Sequence, residues 1–181
     1  MRKAALTYGR FKVKRMDDGD VKLVETFTAF INGFIDDPDA MTSIKYGMTV
    51  EGERRYLEDT LFLIGAAKKT VTVAWHGSSI AALAHAELMQ GRKEHVAEFG
   101  ILVSREHRSQ GLGDMITGLV LSDAAALLVP RPAIIRLSVF ETNEKAIGLY
   151  RKHGFEEVAR IPRQFELGDS LVDEIIMIRD A

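Results

Sequence analysis

The sequence predicts an α/β (α+β) fold in which a mixed central sheet of about seven strands is flanked by about four helices. Strand-like and helix-like patterns follow the order strand, two helices, three strands, helix, strand, helix and two strands. Hairpins in that order supply antiparallel pairs, whereas strand–helix–strand units need parallel crossovers. Because 181 residues suffice for one core, we expect residues 1–181 to form a single domain.

The first half of the chain yields five predicted elements. Apolar residues that alternate with basic ones indicate a strand, and apolar residues three or four apart indicate helices. The elements are a strand at 11–16, a helix over 24–31, a helix at about 51–67, and strands at 70–75 and 80–88. Asp20 is the expected N-cap of the first helix, since a side-chain oxygen there accepts from unpaired helix N–H groups.

The second half yields six more elements. They are a strand at 96–103, a helix at 114–128, a strand at 134–140, a helix at 143–153, and strands at 158–165 and 171–178. Pro130 and Pro132 end the longer helix, because proline lacks the N–H that a helix needs. Gly154 follows the shorter helix at the usual C-terminal glycine position.

Composition excludes several classes of protein. A net charge of −2 gives no nucleic-acid footprint, and the absence of cysteine excludes disulfides, thiolate zinc sites and a cysteine nucleophile. No apolar run approaches the roughly 18 residues of a membrane span. Residues 1–15 are basic but lack the apolar segment of a signal peptide. We therefore expect a cytoplasmic protein that uses no metal and binds neither nucleic acid nor membrane.

The most informative segment is a glycine-rich turn between a predicted strand and a predicted helix. Free N–H groups and the helix dipole favour an anion at such a helix start, and glycine lets a ligand approach the backbone. The candidate phosphate-binding residues are Arg108, Ser109, Gln110, Gly111, Leu112 and Gly113, extending to Asp114. The segment lacks the third glycine of a dinucleotide fingerprint and the Lys-Ser/Thr of a P-loop. The alternative is a turn that needs glycine only for its geometry.

Four motifs in order give the chain a resemblance to the GNAT superfamily of acyl-CoA-dependent N-acyltransferases. Segment 97–103 resembles that family's central strand, 108–113 its Arg/Gln-x-x-Gly-x-Gly/Ala pyrophosphate loop, and 137–143 the strand that leads to an Asn. The closing signature is matched by Asn143, Ala146, Leu149, Tyr150, Gly154 and Phe155. Each motif alone is weakly specific, but their order and spacing together are a specific signal.

The resemblance implies that acetyl-CoA binds as co-substrate. The glycine-rich loop would hold the pyrophosphate, and the backbone of Ile101, Leu102 and Val103 would pair with the pantetheine arm. In the family this strand carries a bulge that splays it from its neighbour and opens a V-shaped slot. A backbone N–H there can polarise the thioester carbonyl, as in an oxyanion hole. The side chains of the same three residues are also expected in the core.

Tyr150 is the candidate general acid for the departing thiolate. It lies seven residues after Asn143, so both residues share one helix face. A phenol with a pKa of about 10 is protonated at neutral pH, as an acid must be. The alternative for Tyr150 is a core aromatic side chain. Asn143 is either a helix N-cap or a contact to the cofactor.

Glu98 is the candidate general base that removes a proton from the amine, directly or through water. It is the only acidic residue in its apolar strand. The alternative is a cross-strand partner for a basic residue such as Arg136. His85 and Glu87, on the neighbouring strand, are reserve candidates.

These features predict an N-acetyltransferase whose amine acceptor is unidentified. The acceptor can be a small amine, an amino acid, an antibiotic or a protein amino group. In the family the region after the first helix lines the acceptor pocket, where Asp36, Asp37 and Asp39 can attract a cation or form a solvated turn. The alternatives are a non-catalytic module that senses acyl-CoA and a nucleotide-binding protein of another fold. A homodimer is also compatible with the apolar final strand.

Overall fold

Eight strands form one continuous sheet in the computed structural model of this chain, which describes residues 5–181. The strands are, in chain order, β1 (Leu6–Tyr8), β2 (Phe11–Arg15), β3 (Lys69–His76), β4 (Ser79–Leu88), β5 (Val96–Val103), β6 (Ile134–Phe140), β7 (Glu156–Leu167) and β8 (Ser170–Asp180). The α-helices of the described residues are α1 (Val24–Asn32), α2 (Val50–Gly65), α3 (Leu112–Leu127) and α4 (Glu144–Lys152). The predicted mixed sheet with about four helices is confirmed.

The strands lie in the order β1-β2-β3-β4-β5-β6-β8-β7. Neighbouring strands are antiparallel except β5 and β6, which run parallel and are connected through α3. A parallel pair needs such a crossover because the chain must return to the end of the sheet where it began. The β5–α3–β6 unit therefore sets two chemically important strands side by side at the centre of the sheet.

Helices cover both faces of the sheet. On one face α3 packs against β3, β4 and β5, and α4 joins the same apolar core. On the other face α1 and α2 pack against β4 and β3 around a second core that contains Phe27 and Leu57. Successive residues of a strand point to opposite faces, so Ala74 belongs to the α3 core while Val73 and Trp75 belong to the α1–α2 core.

The first helix begins differently from its prediction. A 3-10 turn, Asp18–Leu23, precedes α1, and its N-cap is Asp17 rather than Asp20. The Asp17 side chain accepts from the Gly19 N–H at 2.9 Å, and the Asp20 side chain accepts from the Asp17 N–H at 2.8 Å. The two aspartates thus form a reciprocal capping box, so the prediction of Asp20 as N-cap was wrong by one turn.

The number of strands and the ends of the last two strands also differ from the prediction. The short strand β1 raises the strand number from seven to eight, and its three exposed residues carry no buried alternation that would reveal it. Strands β7 and β8 reach Leu167 and Asp180, beyond the predicted ends. Most of β7 is exposed, so hydrophobic periodicity marks its limits poorly.

Residues 1–15, in which the sequence showed no apolar segment of a signal peptide, form β1 and β2 from Leu6 onward. Residues 1–4 of that segment lie outside the described part of the chain. Among the helices that are described, none is long and apolar enough to cross a membrane.

An ion pair connects the edge of the sheet to the long helix. Arg15, the last residue of β2, donates from Nε and Nη2 to the carboxylate oxygens of Asp123 on α3, at 2.6 and 2.5 Å. Asp123 is only 6% exposed. A bidentate pair of this kind fixes orientation as well as distance, so it sets how α3 lies on the sheet.

We expect Asp123→Asn to lower the free energy of unfolding by about 2 kcal/mol, because it leaves a partly buried guanidinium without a counter-charge. The expected loss is below that of a fully buried pair because the Arg15 side chain is 27% exposed. Urea unfolding followed by circular dichroism measures it. As a control, Glu51→Gln removes an exposed pair with Arg55 and should cost less than about 0.5 kcal/mol. Equal stabilities of the two variants would contradict the assignment.

Candidate active site

Strands β5 and β6 separate at the centre of the sheet. Their pairing covers three residue pairs and ends at Glu98 and Arg136, although β5 continues to Val103 and β6 to Phe140. Pairing between β4 and β5 continues to Ala82 and Val103 without a shift in register. The slot expected from the resemblance is therefore present. It arises where β5 and β6 part, and the expected bulge does not appear in the register of β5 with β4.

A cavity of about 1750 Å³ occupies this slot and extends over the α1–α2 face of the sheet. Its lining includes the inner edge of β5, the glycine-rich turn, α4, and the connection between α1 and α2. The tip of the β7–β8 hairpin closes the far side, where Phe165 stacks on Phe140 with ring centres 3.9 Å apart. Groups from both faces of the sheet thus line a single cavity.

The glycine-rich turn positions the start of α3 beside the slot. Gly111 is the N-cap of α3 in a left-handed conformation with φ of 77°, and Ser109 also has positive φ. A Cβ on Gly111 would lie 2.9 Å from the hydroxyl of the exposed Tyr8 side chain, which can shift, so the positive φ is what favours glycine there. The helix begins at Leu112, two residues before the predicted start, which places its free N–H groups within the turn.

The polar side chains of this turn bind to the protein itself. Arg108 Nε donates to the Val103 carbonyl at 3.0 Å, and its Nη2 donates to Asp37. Gln110 donates from Nε2 to the Glu106 carbonyl at 2.7 Å. Asp114 accepts hydrogen bonds from Lys152 and His153, and the Lys152 bond is the main cause of its lowered pKa. An anion at this turn therefore meets mainly backbone N–H groups, rather than the free Arg108 guanidinium that the sequence suggested.

The end of β5 presents its backbone edge to the slot. The side chains of Ile101 and Val103 pack against the α3 core, and Leu102 packs against the α1–α2 core. Gly113, at the start of α3, lies close to Ile101, Val103 and Leu149, since a Cβ there would contact all three at 3.6–3.9 Å. This packing fixes the helix start directly beside the β5 edge.

Tyr150 lies on α4 at the α3 side of the slot. It is 7% exposed, and its ring meets Phe99 and Phe155 edge-on at centroid distances of 6.1 and 6.0 Å. Burial raises the pKa of Tyr150 to about 12. Among the described residues none forms a hydrogen bond with its hydroxyl. Asn143 caps the same helix, accepting from the Ala146 N–H at 3.2 Å.

Glu98 lies on the opposite face of β5 from Phe99, the residue that contacts Tyr150. Its neighbours in register are Glu87 on β4 and Arg136 on β6. Glu87 forms an ion pair with Lys69 at 2.9 Å, whereas Glu98 forms no ion pair with any residue that the structure describes. Arg136 thus lies opposite Glu98, as expected for a cross-strand partner, but the two side chains form no ion pair. Glu98 instead lines the cavity.

The two reserve bases occupy different positions. Glu87 is engaged by the almost fully buried Lys69. His85 lies across Gly100, where a Cβ would approach its Cε1 to 2.5 Å. Burial, together with the positive charge of Lys69, lowers the pKa of His85 to about 4. The imidazole is therefore neutral and weakly basic, and it forms part of the cavity wall.

Two of the three aspartates in the connection after α1 are paired, whereas Asp36 is exposed, has no partner among the described residues and does not line the cavity. Asp37 is hydrogen-bonded to Arg108, and Arg105 lies 3.1 Å from Asp39. Although burial opposes it, hydrogen bonds from the Asp39 N–H and from Arg108 lower the pKa of Asp37. These carboxylates therefore anchor the connection to the end of β5, which weakens their predicted role in attracting a cationic amine.

One cavity residue was missed at the sequence level. Glu53 on α2 is 2% exposed and lines the cavity. It lies in the first turn of α2, where acidic residues are common, but it is four residues before the buried Leu57 and so on the same face. That spacing was the available signal. Elsewhere in residues 5–181 no group of histidine and carboxylate side chains is arranged to hold a metal ion.

The architecture is that of known acetyltransferases. A GNAT-family acetyltransferase from Streptococcus pneumoniae superposes with a TM-score of 0.80 at 19% identity, covering 94% of this chain and 98% of that one. Ribosomal-protein-S5-alanine acetyltransferase from Vibrio fischeri gives 0.79 at 12% identity, with coverage of 98% and 97%. A putative acetyltransferase from Salmonella typhimurium, solved with its cofactor acetyl-CoA, gives 0.76 at 15% identity, with coverage of 95% and 94%. At these identities the likeness establishes the fold.

The family follows from the sequence. The model of the acetyltransferase (GNAT) family matches residues 32–155, which include the slot, the glycine-rich turn and α4. No curated protein sequence matches this chain. The chain belongs to the GNAT acetyltransferase family, as the four motifs indicated.

The lowered pKa of His85 predicts a loss of stability on the acid side. Its pKa is 6.5 in the unfolded chain and about 4 in the folded one. Between these values the unfolded chain takes up a proton that the folded chain does not. Stability therefore falls as pH decreases from 6.5 toward 4, and this effect is absent at higher pH.

We expect His85→Gln to show a flatter dependence of the urea midpoint on pH than the wild type in that range. His95→Gln, at an exposed histidine, is the matched control and should keep the wild-type slope. A wild-type slope in the His85 variant would show that this imidazole is protonated in the folded protein.

Proposed function

We propose that this protein is an N-acetyltransferase that moves the acetyl group of acetyl-CoA to a primary amine by direct attack in a ternary complex. The observation that carries the proposal is the slot between β5 and β6, whose cavity is lined from both faces of the sheet. Two substrates can enter such a slot from opposite sides and meet between the strands. Membership of the GNAT acetyltransferase family supports the same chemistry.

The residues present fit coenzyme A. The N–H groups at the start of α3 face no side-chain cap, which suits a pyrophosphate, and Gly111 leaves the backbone accessible. Beyond Glu98, the edge of β5 through Ile101, Leu102 and Val103 has no strand partner on the β6 side. Apart from the Val103 carbonyl, which accepts from Arg108, the backbone groups of this edge suit the amides of a pantetheine arm, because edge groups of a strand need hydrogen-bond partners.

Bound acetyl-CoA supplies a thioester whose carbonyl carbon forms the new C–N bond while the C–S bond breaks. A β5 backbone N–H polarises the carbonyl oxygen. Glu98 accepts the proton that the attacking amine loses, directly or through one water, and releases it to solvent. Tyr150 donates a proton to the departing sulfur and regains one from solvent. Acid and base thus lie on opposite faces of β5, each facing its own substrate.

A calorimetric titration with acetyl-CoA tests the cofactor assignment, with NAD and ATP as competing ligands. We expect saturable binding of acetyl-CoA and none of the other two, because a glycine-rich turn beside an open strand edge fits a pyrophosphate with an extended amide arm. Failure to bind acetyl-CoA would overturn the proposed function. Binding without thiol release for any amine would instead favour a sensor of acyl-CoA.

Replacement of Tyr150 by Phe tests the acid. We expect kcat to fall about 100-fold with little change in the KM for acetyl-CoA, since the variant keeps the ring and loses only the donated proton. Free thiol release measures both constants. Tyr46→Phe, at a 78% exposed tyrosine, is the matched control and should keep the wild-type kcat. An unchanged kcat in the Tyr150 variant would rule out the acid role.

A further inference from the structure

Glu53 is a carboxylate buried against the cavity with no counter-charge. It is 2% exposed and lines the cavity from the α2 side. Within the described residues its carboxylate has neither a hydrogen bond nor an ion pair. Burial raises its pKa, and no neighbouring cation opposes that rise. A buried carboxylate without a partner is costly, so such a residue calls for a partner from outside the chain.

Among the described residues no cation pairs with Glu53, and although Arg54 on the same helix and Arg136 on β6 also lack an ion pair, neither of them lines the cavity. Lys69, on β3 below α2, is bound to Glu87 at 2.9 Å and lies over the Tyr56 ring. Arg105 and Arg108 line the cavity, but their guanidinium groups pair with Asp39 and Asp37. His85 is neutral at physiological pH because of its low pKa of about 4. Lys145 also lines the cavity, but it is exposed and lies on α4, with the cofactor side.

The helix dipole does not account for the burial of Glu53. Acidic residues in the first turn of a helix are stabilised by its N-terminus, and Glu51 already supplies such a charge while exposed to solvent. That benefit does not require burial. Glu53 is one helical turn before Leu57 and on the same face of α2, so its side chain points toward the cavity and the α1–α2 core.

Among the described residues, two carboxylates with neither an ion pair nor a side-chain hydrogen bond line the acceptor half of the cavity, Glu53 from α2 and Glu98 from β5, whereas Glu174 on β8 accepts from the Ser138 hydroxyl. One of them suffices for the reacting amine, whose proton Glu98 accepts under the proposed function. The second matches a second positive charge on the same acceptor. Apolar side chains also line the cavity, with Met48, Ile31, Phe27 and Leu57 among them, which suits a methylene chain.

We propose that Glu53 binds a second ammonium group of the acceptor, so that the substrates are amines carrying another cationic group on an apolar linker, such as diaminoalkanes. This inference rests on the proposed function for the acetylation step. It adds the substrate class, and its test uses binding as well as turnover.

Three ligands of equal length isolate the second charge: a diaminoalkane, the alkylamine that lacks the second amine, and the aminoalkanoic acid that carries a carboxylate instead. Each is titrated calorimetrically into the protein saturated with coenzyme A, over a series of chain lengths. We expect the diamine to bind about tenfold or more tightly than the monoamine, as one charged hydrogen bond provides. The amino acid should bind most weakly.

Two variants of α2 then test whether Glu53 causes the preference for the diamine. Glu53→Gln removes the charge and keeps the shape, so the preference for diamine over monoamine should vanish in both binding and KM, with the KM for acetyl-CoA unchanged. Glu51→Gln makes the same change at the exposed position of the same turn and should keep the preference. Thermal melting checks folding, and Glu53→Gln should be at least as stable as the wild type without ligand. Comparison of the three ligands on the wild type needs no variant.

Different outcomes overturn different statements. Equal affinity for diamine and monoamine in the wild type overturns this inference whatever the turnover assay shows. A preference that survives Glu53→Gln as fully as Glu51→Gln overturns the role of Glu53. Failure to bind acetyl-CoA instead overturns the proposed function, while titration of the same amines into the protein without coenzyme A still decides whether Glu53 holds a cation.

Discussion

The separation of β5 from β6 is the constraint on which the rest of the site depends. Each strand is held from its outer side, β5 by β4 through Val103 and β6 by β8 through Phe140. Neither strand can therefore move inward to close the gap, although their inner backbone edges lack partners beyond Glu98 and Arg136. The energy that keeps the slot open comes from ladders that lie outside it. The slot can thus present free backbone groups without destabilising the sheet.

The distribution of charge follows from the same arrangement. The arginines nearest the end of β5 are neutralised by Asp37 and Asp39, and the connection that carries these aspartates is tied to the β7–β8 hairpin through Lys45 and Glu166. Under the proposed function, phosphate binding would depend on backbone N–H groups at α3, whereas the α1–α2 side of the cavity keeps carboxylates without an ion pair among the described residues. A polyanionic substrate and a cationic one would therefore be sorted to opposite sides of the sheet by local charge.

The sequence predicts what depends on local pattern and misses what depends on distant partners. The order of elements and the motifs around Gly111, Asn143 and Tyr150 could be predicted because periodicity and turn chemistry are local. The engagement of Arg108 by Asp37 joins residues far apart in the chain, and no spacing reveals it. Glu53 was missed for another reason: its helical position signalled the buried face, but a carboxylate near a helix start is usually exposed.

The burial of Tyr150 determines how readily its hydroxyl can donate a proton. A phenol with a pKa of about 12 would lose its proton only reluctantly to a thiolate, whose pKa in water is about 8.5 for a cysteine side chain. The comparison changes inside the slot, because the same desolvation that disfavours the phenolate also disfavours a thiolate beside it. The pKa of about 12 for Tyr150 already includes its burial, whereas 8.5 is the pKa of a thiol in water. Burial of the thiol raises its pKa as well, so the difference between the two pKa values becomes smaller. As the acid of the proposed function, Tyr150 would be matched to a leaving group that is as deeply buried as itself, which would require the sulfur to lie on the Phe99 side of β5 when the bond breaks.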